Sequence, residues 1–270
     1  MTDPARRKPS KVALVTGASS GIGRVFAGRL AAAGYDLTVV ARREDALQEQ
    51  AARLATRTGV TVDVFAADLA DRDQRGRVEA HLRERADLTL LVNSAGFGST
   101  GPFVEQDLER ETQQIELNVV ALARLTHAAL APMIARGKGS IINVSSVAGF
   151  QPGPLNATYS AAKAYVTSFT EALYEEVRGT GVRVQALCPG FTRTDFQASA
   201  GWSASSVPSF AWMTAEQVVD ESLRCLRQGR AVCIPGLQNK ALAASTHMVP
   251  RAVVRRLSGI VSHRAVTRDS

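Results

Sequence analysis

The chain has 270 residues, 45% of them hydrophobic and 21% charged. That is the size and balance of one large globular domain, and it excludes a disordered or low-complexity polypeptide. The formal net charge is +7, but residues 240–270 set Lys240, Arg251, Arg255, Arg256, Arg264 and Arg268 against Asp269, a local +5 that leaves only +2 for the other 239 residues. With the charge gathered in a tail and no reader motif beside it, nucleic-acid binding is not expected. The three cysteines, Cys188, Cys225 and Cys233, form no CxxC pair and read as small buried hydrophobes, so neither a disulfide framework nor a metal site is implied. The four histidines are scattered. No unbroken run of about 18 apolar residues occurs, so a membrane span is not expected, and the run that follows Arg6-Arg7-Lys8 is too short for a signal-peptide core. A cytoplasmic location is expected.

In chain order, apolar runs bounded by turn residues predict strands over Val12–Thr16, Asp36–Ala41, Val60–Ala66, Leu88–Asn93, Ser140–Ser145 and Val182–Leu187. A weaker seventh lies at Ala231–Ile234. Continuous apolar runs suit strands covered on both faces. Helical spacing fills 21–33, 44–57, 71–85, 107–136, 159–178 and 214–228, with possible capping boxes at Asp71/Gln74 and Thr214/Gln217. Alternating strands and helices predict one α/β domain, a doubly wound parallel sheet of about seven strands with helices on both faces. The core would run over about 10–236, with a basic, helical C-terminal extension over 237–270 that Pro250 interrupts.

The first strand runs straight into Thr16-Gly-Ala-Ser-Ser-Gly-Ile-Gly23 and then a helix. Glycines at such a turn let the backbone approach a pyrophosphate, and the helix N-terminus supplies N–H donors. The spacing is GxxxGxG, not GxGxxG, so on these three glycines alone a tight structural turn stays open. Further along stand Asn93-Ser-Ala-Gly96, Asn118, Ser146, Tyr159-Ser-Ala-Ala-Lys163 with Tyr159 thirteen residues after Ser146, and Pro189-Gly190. The ordered set, spread over residues 12–194, resembles the short-chain dehydrogenase/reductase family. Ser94 stands where that family's NNAG segment has its second Asn.

The resemblance implies a Rossmann-type fold and NADP(H)-dependent interconversion of a carbonyl and a secondary alcohol, with Asn118, Ser146, Tyr159 and Lys163 as the catalytic set. Ser146 would hold the substrate oxygen and Tyr159 would pass it a proton as hydride reaches the carbonyl carbon. Lys163 would contact the nicotinamide ribose, and the Asn118 amide would support a water leading to solvent. Independently, Tyr159 and Lys163 lie one helical turn apart, so a nearby ammonium is expected to lower the phenol's pKa toward neutrality. Ser145 competes with Ser146, and a capping or kinking role competes at Asn118.

Cofactor contacts are implied for Gly17, Ser19, Ser20, Gly21, Ile22 and Gly23, for Asp68 and Leu69, for Asn93, Ala95 and Gly96, for Tyr159 and Lys163, and for Pro189, Gly190, Thr192 and Thr194. At the end of the second strand the acid that would signal NAD is absent at Ala41, and Arg42-Arg43 follows. The Arg42 guanidinium, immediately after that position, suits a 2′-phosphate, so NADP(H) is favoured over NAD(H). Solvation of a helix start is the alternative for the arginines, and a strand-end turn the alternative for Asp68.

Residues 191–213 form a long connection holding Phe191, Phe196, Trp202, Phe210 and Trp212, five of the fifteen aromatics in the chain. Since this loop covers the substrate in the family, a pocket including Ser146, Phe97, Phe150, Phe191, Phe196, Trp202 and Trp212 is expected to take a bulky apolar or lipid-like substrate, such as a ketone, steroid or 3-oxoacyl compound. Loop anchoring is the other role open to these aromatics. The helices at 107–136 and 159–178 match the pair that forms subunit interfaces in the family, so a homodimer or homotetramer is expected. The basic C-terminal segment suggests weak peripheral membrane contact, against a helical lid or oligomer arm. A non-enzymatic NADP-binding sensor of the same fold is the alternative function.

Overall fold

The computed structural model describes residues 11–196, 209–249, 252–256 and 258–259. Strands β1 (Lys11–Thr16), β2 (Tyr35–Ala41), β3 (Val62–Ala66), β4 (Leu88–Asn93), β5 (Gly139–Val144) and β6 (Val182–Leu187) alternate with helices α1 (Gly21–Ala32), α2 (Glu44–Thr58), α3 (Arg72–Glu84), α4 (Leu108–Ile115), α5 (Leu122–Arg136) and α6 (Ala157–Glu176). Two short strands, β7 (Thr192–Arg193) and β8 (Met213–Thr214), pair with each other, and α7 (Ala215–Arg227), β9 (Val232–Cys233) and α8 (Leu237–Met248) follow. The main sheet has seven strands in the order β3-β2-β1-β4-β5-β6-β9, all paired in parallel. Strand order reverses between β1 and β4, and the crevice beyond the strand ends at such a reversal is where this architecture binds ligands.

The apolar runs divide by period two between two cores. Ala13 and Val15 of β1 face α1, α2 and α7 through Phe26, Leu30, Leu47 and Val218. Val12 and Leu14 face α3, α5 and α6 through Val78, Leu125, Met133 and Leu173. Both faces are therefore covered, which is why these strands read as unbroken hydrophobic runs. The stretch Leu108–Arg136 is long and apolar enough to cross a bilayer by composition. Its buried side, Ala121, Leu125, Ala128, Ala129 and Met133, instead packs into the second core.

Three expectations need correction. The helix expected over 107–136 is interrupted by a π-helical stretch, Glu116–Ala121, where one extra residue per turn swings Asn118 inward. The box expected at Asp71 is half made: Asp71 accepts from the Gln74 N–H, but Gln74 Oε1 accepts from Asp68 N at 2.9 Å and so braces the end of β3. At Thr214 both halves are present. The connection 191–213 contributes β7, β8 and a 3₁₀ turn at Ser209–Ala211, while Trp202 lies outside the described residues.

Candidate active site

At the end of β1 the backbone turns where no side chain fits. Gly17 has φ +65°, and a Cβ on it would lie 2.9 Å from Ala95 Cα and Ser94 O. One on Gly23 would lie 2.4 Å from Gly17 O. These contacts let the turn pack against the segment after β4. Thr16 fastens the two together, its Oγ1 accepting from Ser94 N at 3.0 Å and Ala95 N at 3.1 Å. Helix α1 then starts after Ser20 with no side-chain cap and no acid in its first turn, so its positive end stays uncompensated. Ile22 packs on the first core. From the far side Thr194 closes over the turn, its Cβ 3.3 Å from where a Gly21 Cβ would stand, while Thr192 Oγ1 donates to Gly190 O at 3.0 Å.

The two arginines after β2 differ in what they touch. Arg43 Nη2 donates to Ser19 O and Ser19 Oγ, both at 3.3 Å, and so leans over the glycine turn. Arg42, largely exposed, pairs with Asp68 at 3.7 Å. Asp68 Oδ1 also accepts from Ala70 N at 2.9 Å, so the strand-end turn left open by the sequence is present. Leu69 is buried, its carbonyl accepting from Arg75 at 3.1 Å. The Asn93 side chain points inward, donating to Thr126 at 3.0 Å and to Asn143 Oδ1 at 2.9 Å. Only its backbone is left to face the crevice.

The reacting groups meet at the ends of β5 and β6. Lys163 is 5% exposed, with Nζ donating to Val144 O at 2.8 Å and lying 5.6 Å from the centre of the Tyr159 ring. Ser146 is hydrogen-bonded to Tyr159, accepts from Ala148 N at 3.1 Å and reaches Pro189 O at 3.5 Å. Ser145 is turned away: it is 2% exposed and bonded to Lys163 O and Thr167 Oγ1, each at 2.7 Å. Geometry thus separates the two adjacent serines. Asn118, 1% exposed, commits both ends of its amide to Phe97, accepting from N at 3.2 Å and donating to O at 2.8 Å. That amide, expected to support a water, clamps the turn after β4, with Gly96 between Asn118 and Lys163 leaving no room for a side chain.

Electrostatics corrects one expectation. Burial pushes the Tyr159 phenol up to about 12, outweighing the pull of the Ser146 hydroxyl. The same burial brings Lys163 down to about 8. Desolvation penalises both charged forms, so the phenol holds its proton at neutral pH instead of approaching phenolate.

Among the expected pocket aromatics, Phe196 packs on Tyr159 with the rings tilted and their centres 5.5 Å apart, and both touch Gly98, whose Cβ would lie 3.2 Å from each. Phe97 faces Arg110 at 5.6 Å, and Phe150 closes the 3₁₀ turn Val147–Phe150 that packs on α6. Phe191 and Trp212 pair with each other at 5.7 Å, beside Arg193, and so anchor the loop. Sequence reading missed three contributors. Ser99 and the buried Glu111 hydrogen-bond and tie the post-β4 loop to α4. Leu155 has φ +67°, unique among the described non-glycine residues, and accepts from Gly101 N at 2.8 Å, joining the loop after β4 to the segment before α6. A leucine carries no left-handed signal, so no sequence pattern could mark it.

With this geometry in hand, comparison with known proteins is specific. A family profile described as short chain dehydrogenase matches residues 11–203. A very-long-chain 3-oxoacyl-CoA reductase of Anas platyrhynchos is 34% identical over 212 residues, 77% of this chain and 66% of that protein, so the chain spans just under two thirds of it. Among solved structures, a short-chain dehydrogenase from Sphingobium yanoikuyae in complex with NADPH is 37% identical with a TM-score of 0.82, covering 88% of this chain and 94% of that one. A bulky-bulky ketone specific alcohol dehydrogenase from Comamonas testosteroni is 34% identical with a TM-score of 0.78, covering 91% and 97%.

The buried amine makes a testable link to stability. Lys163 has a lower pKa folded than unfolded, so between about 8 and 10.5 the unfolded chain binds the extra proton. The cost of burying the cation is fully present below about 8. It is relieved as pH rises, with a slope of at most about 1.4 kcal/mol per pH unit. Urea unfolding at pH 7.5 and 9.5 is expected to show wild type gaining stability relative to Lys163→Met. Parallel curves would contradict it.

Proposed function

This chain belongs to the short-chain dehydrogenase/reductase family, and from that premise we propose that it is an NADP(H)-dependent oxidoreductase interconverting a carbonyl and a secondary alcohol on a bulky, apolar substrate. The observation that carries the reading is the convergence of Ser146, Tyr159 and Lys163 at the strand ends, next to a glycine turn into which no side chain fits.

The cradle suits a dinucleotide. Gly17, Gly21 and Gly23 admit close backbone approach, the α1 N-terminus favours phosphate, and Arg43 over Ser19 with Arg42 beside it offers cations at the end of β2. The bound dinucleotide supplies the hydride chemistry. The chain's own part is to hold the proton and the oxygen. Tyr159 carries a proton at Oη at neutral pH, ready for an oxygen that gains negative charge. The Ser146 hydroxyl, bonded to Tyr159, is within reach of the same oxygen and steadies it. Lys163, held on Val144 O, keeps a cation below pH of about 8 behind the phenol and favours the phenolate left by proton transfer. In reverse, the same groups accept the proton of an alcohol.

Phe196 over Tyr159, with Gly98 beneath, makes the wall nearest the reacting atoms apolar. Relatives named for 3-oxoacyl-CoA and bulky ketones support the same substrate class. A sensor without activity is disfavoured because no member of the catalytic set is missing. Assembly as a homodimer or homotetramer is supported by Leu108, Ile115, Ile134 and Tyr165, large apolar side chains left exposed on α4, α5 and α6. Light scattering is expected to give two or four copies, and a monomeric mass refutes it.

Tyr159→Phe is expected to lower turnover on bulky ketones by about 10²–10⁴-fold with NADPH binding retained, read by absorbance at 340 nm and by fluorescence titration. Full activity in that variant would overturn the assignment. Arg43→Ala is expected to raise KM for NADPH about tenfold or more while leaving NADH use unchanged. Equal losses with both cofactors would remove the phosphate role.

A further inference from the structure

From Ser222 to Arg268 the chain contains no Asp or Glu but nine Lys and Arg residues. Helix α8 lies in this stretch with an unusual outward face. Asn239 and Ala243, one turn apart, point inward at 5% and 4% exposure. On the opposite side Leu237 is 81% exposed, and Ala241, Ala244 and Ser245 are exposed with it. The only charged residue of α8, Lys240, is spent on Glu221 at 2.9 Å. A surface helix normally turns several charges outward, and here the outward stripe carries Lys240 alone, half-exposed and held by Glu221.

Exposed apolar and cationic side chains recur in two further segments. Leu242 and Val253 are exposed, and Arg255 and Arg256 follow, also exposed. The turn Ser209–Ala211 presents Phe210 at 77% exposure. Met213, just beyond that turn, brings it alongside α8 through contact with Asn239 Nδ2 at 3.7 Å. Asn239 also fills the space above Gly190, whose Cβ would lie 2.2 Å from its Oδ1. The inward side of α8 thus packs on the Pro189–Gly190 turn that Ser146 touches, which fixes the helix on the fold.

We infer that α8, residues 253–256 after it and the Phe210 turn form a docking surface for an anionic lipid bilayer. The charge selects this occupant. A second copy docked by the same face would set Arg255 and Arg256 against their own counterparts, at a Coulombic cost. Nucleic acid would meet the arginines but leave the leucine and phenylalanine nothing apolar to enter. An anionic bilayer takes both, with apolar side chains in the acyl boundary and guanidinium groups among the headgroups. The inference does not rest on the substrate reading, since docking is independent of turnover.

The test is co-sedimentation of the full chain with vesicles of phosphatidylcholine containing about one third phosphatidylglycerol, against phosphatidylcholine alone, at low and high salt. The chain is expected to pellet with anionic vesicles at low salt, to be released at high salt and to stay in solution with neutral vesicles. Arg255→Gln with Arg256→Gln is expected to weaken partitioning about 25-fold, about fivefold for each cation. Leu237→Glu should weaken it as well. Unchanged circular dichroism and melting temperature in the variants separate lost docking from lost folding. The proposal is overturned if the folded wild type fails to pellet at low salt, pellets equally on neutral vesicles, or pellets as well after these substitutions. A smaller solution mass for Leu237→Glu would overturn it too, because the face would then be a contact between copies.

Discussion

A buried amine on a strand-end carbonyl organises the reacting end of this protein. Lys163 leaves water almost completely, and Val144 O at the end of β5 is its hydrogen-bond acceptor. An amine buried without an acceptor would cost several kcal/mol, so α6 must lie where this bond forms. Once it does, Tyr159, one turn earlier, is delivered to Ser146. The fit is close on both sides. A Cβ on Gly149 would lie 2.7 Å from Lys163 O, so the 3₁₀ turn carrying the serine packs directly on the α6 backbone.

Beneath this bond the sheet is tied by polar side chains and not only by apolar contact. Asn93 on β4 and Asn143 on β5 bond to each other, and Thr126 and Thr170 bind them from α5 and α6. Each bond is worth about 1 kcal/mol, but a buried partner left empty costs about 1–3, so the group acts as a register lock for β4, β5 and their covering helices. Thr16 continues the lock to β1. The two ends of the site, glycine turn and Tyr159, are thus held in one frame.

Legibility followed the range of the interaction. The apolar runs predicted six long strands within two residues of where they lie, because burial on both faces leaves a continuous local signal. The capping box at Thr214 is likewise a matter of four consecutive residues. The box at Asp71 failed because Gln74 found a better donor in Asp68 N, beyond the helix. At Asn118 the sequence offers a cap or a kink but not a π-helical stretch, since Glu116–Ala121 carries no Gly or Pro to mark one and the extra residue is accommodated where Asn118 bonds to Phe97. Five aromatics in one loop looked alike in sequence. In space Phe196 lies on Tyr159, while Phe191 and Trp212 hold each other.

By itself the sequence determined the alternation of strands and helices, the parallel doubly wound sheet, the glycine turn and the Tyr–Lys pair on one helix face. Each of these follows from residues within a turn or a strand of one another. Only the tertiary structure decided which serine meets Tyr159, which arginine leans over Ser19, where the Asn118 amide is spent, and that burial raises the phenol while lowering the amine. Those outcomes depend on which groups are brought together, and kept from water, by segments distant in the chain. A proton's free energy is set by that surrounding, which no local pattern of residues encodes.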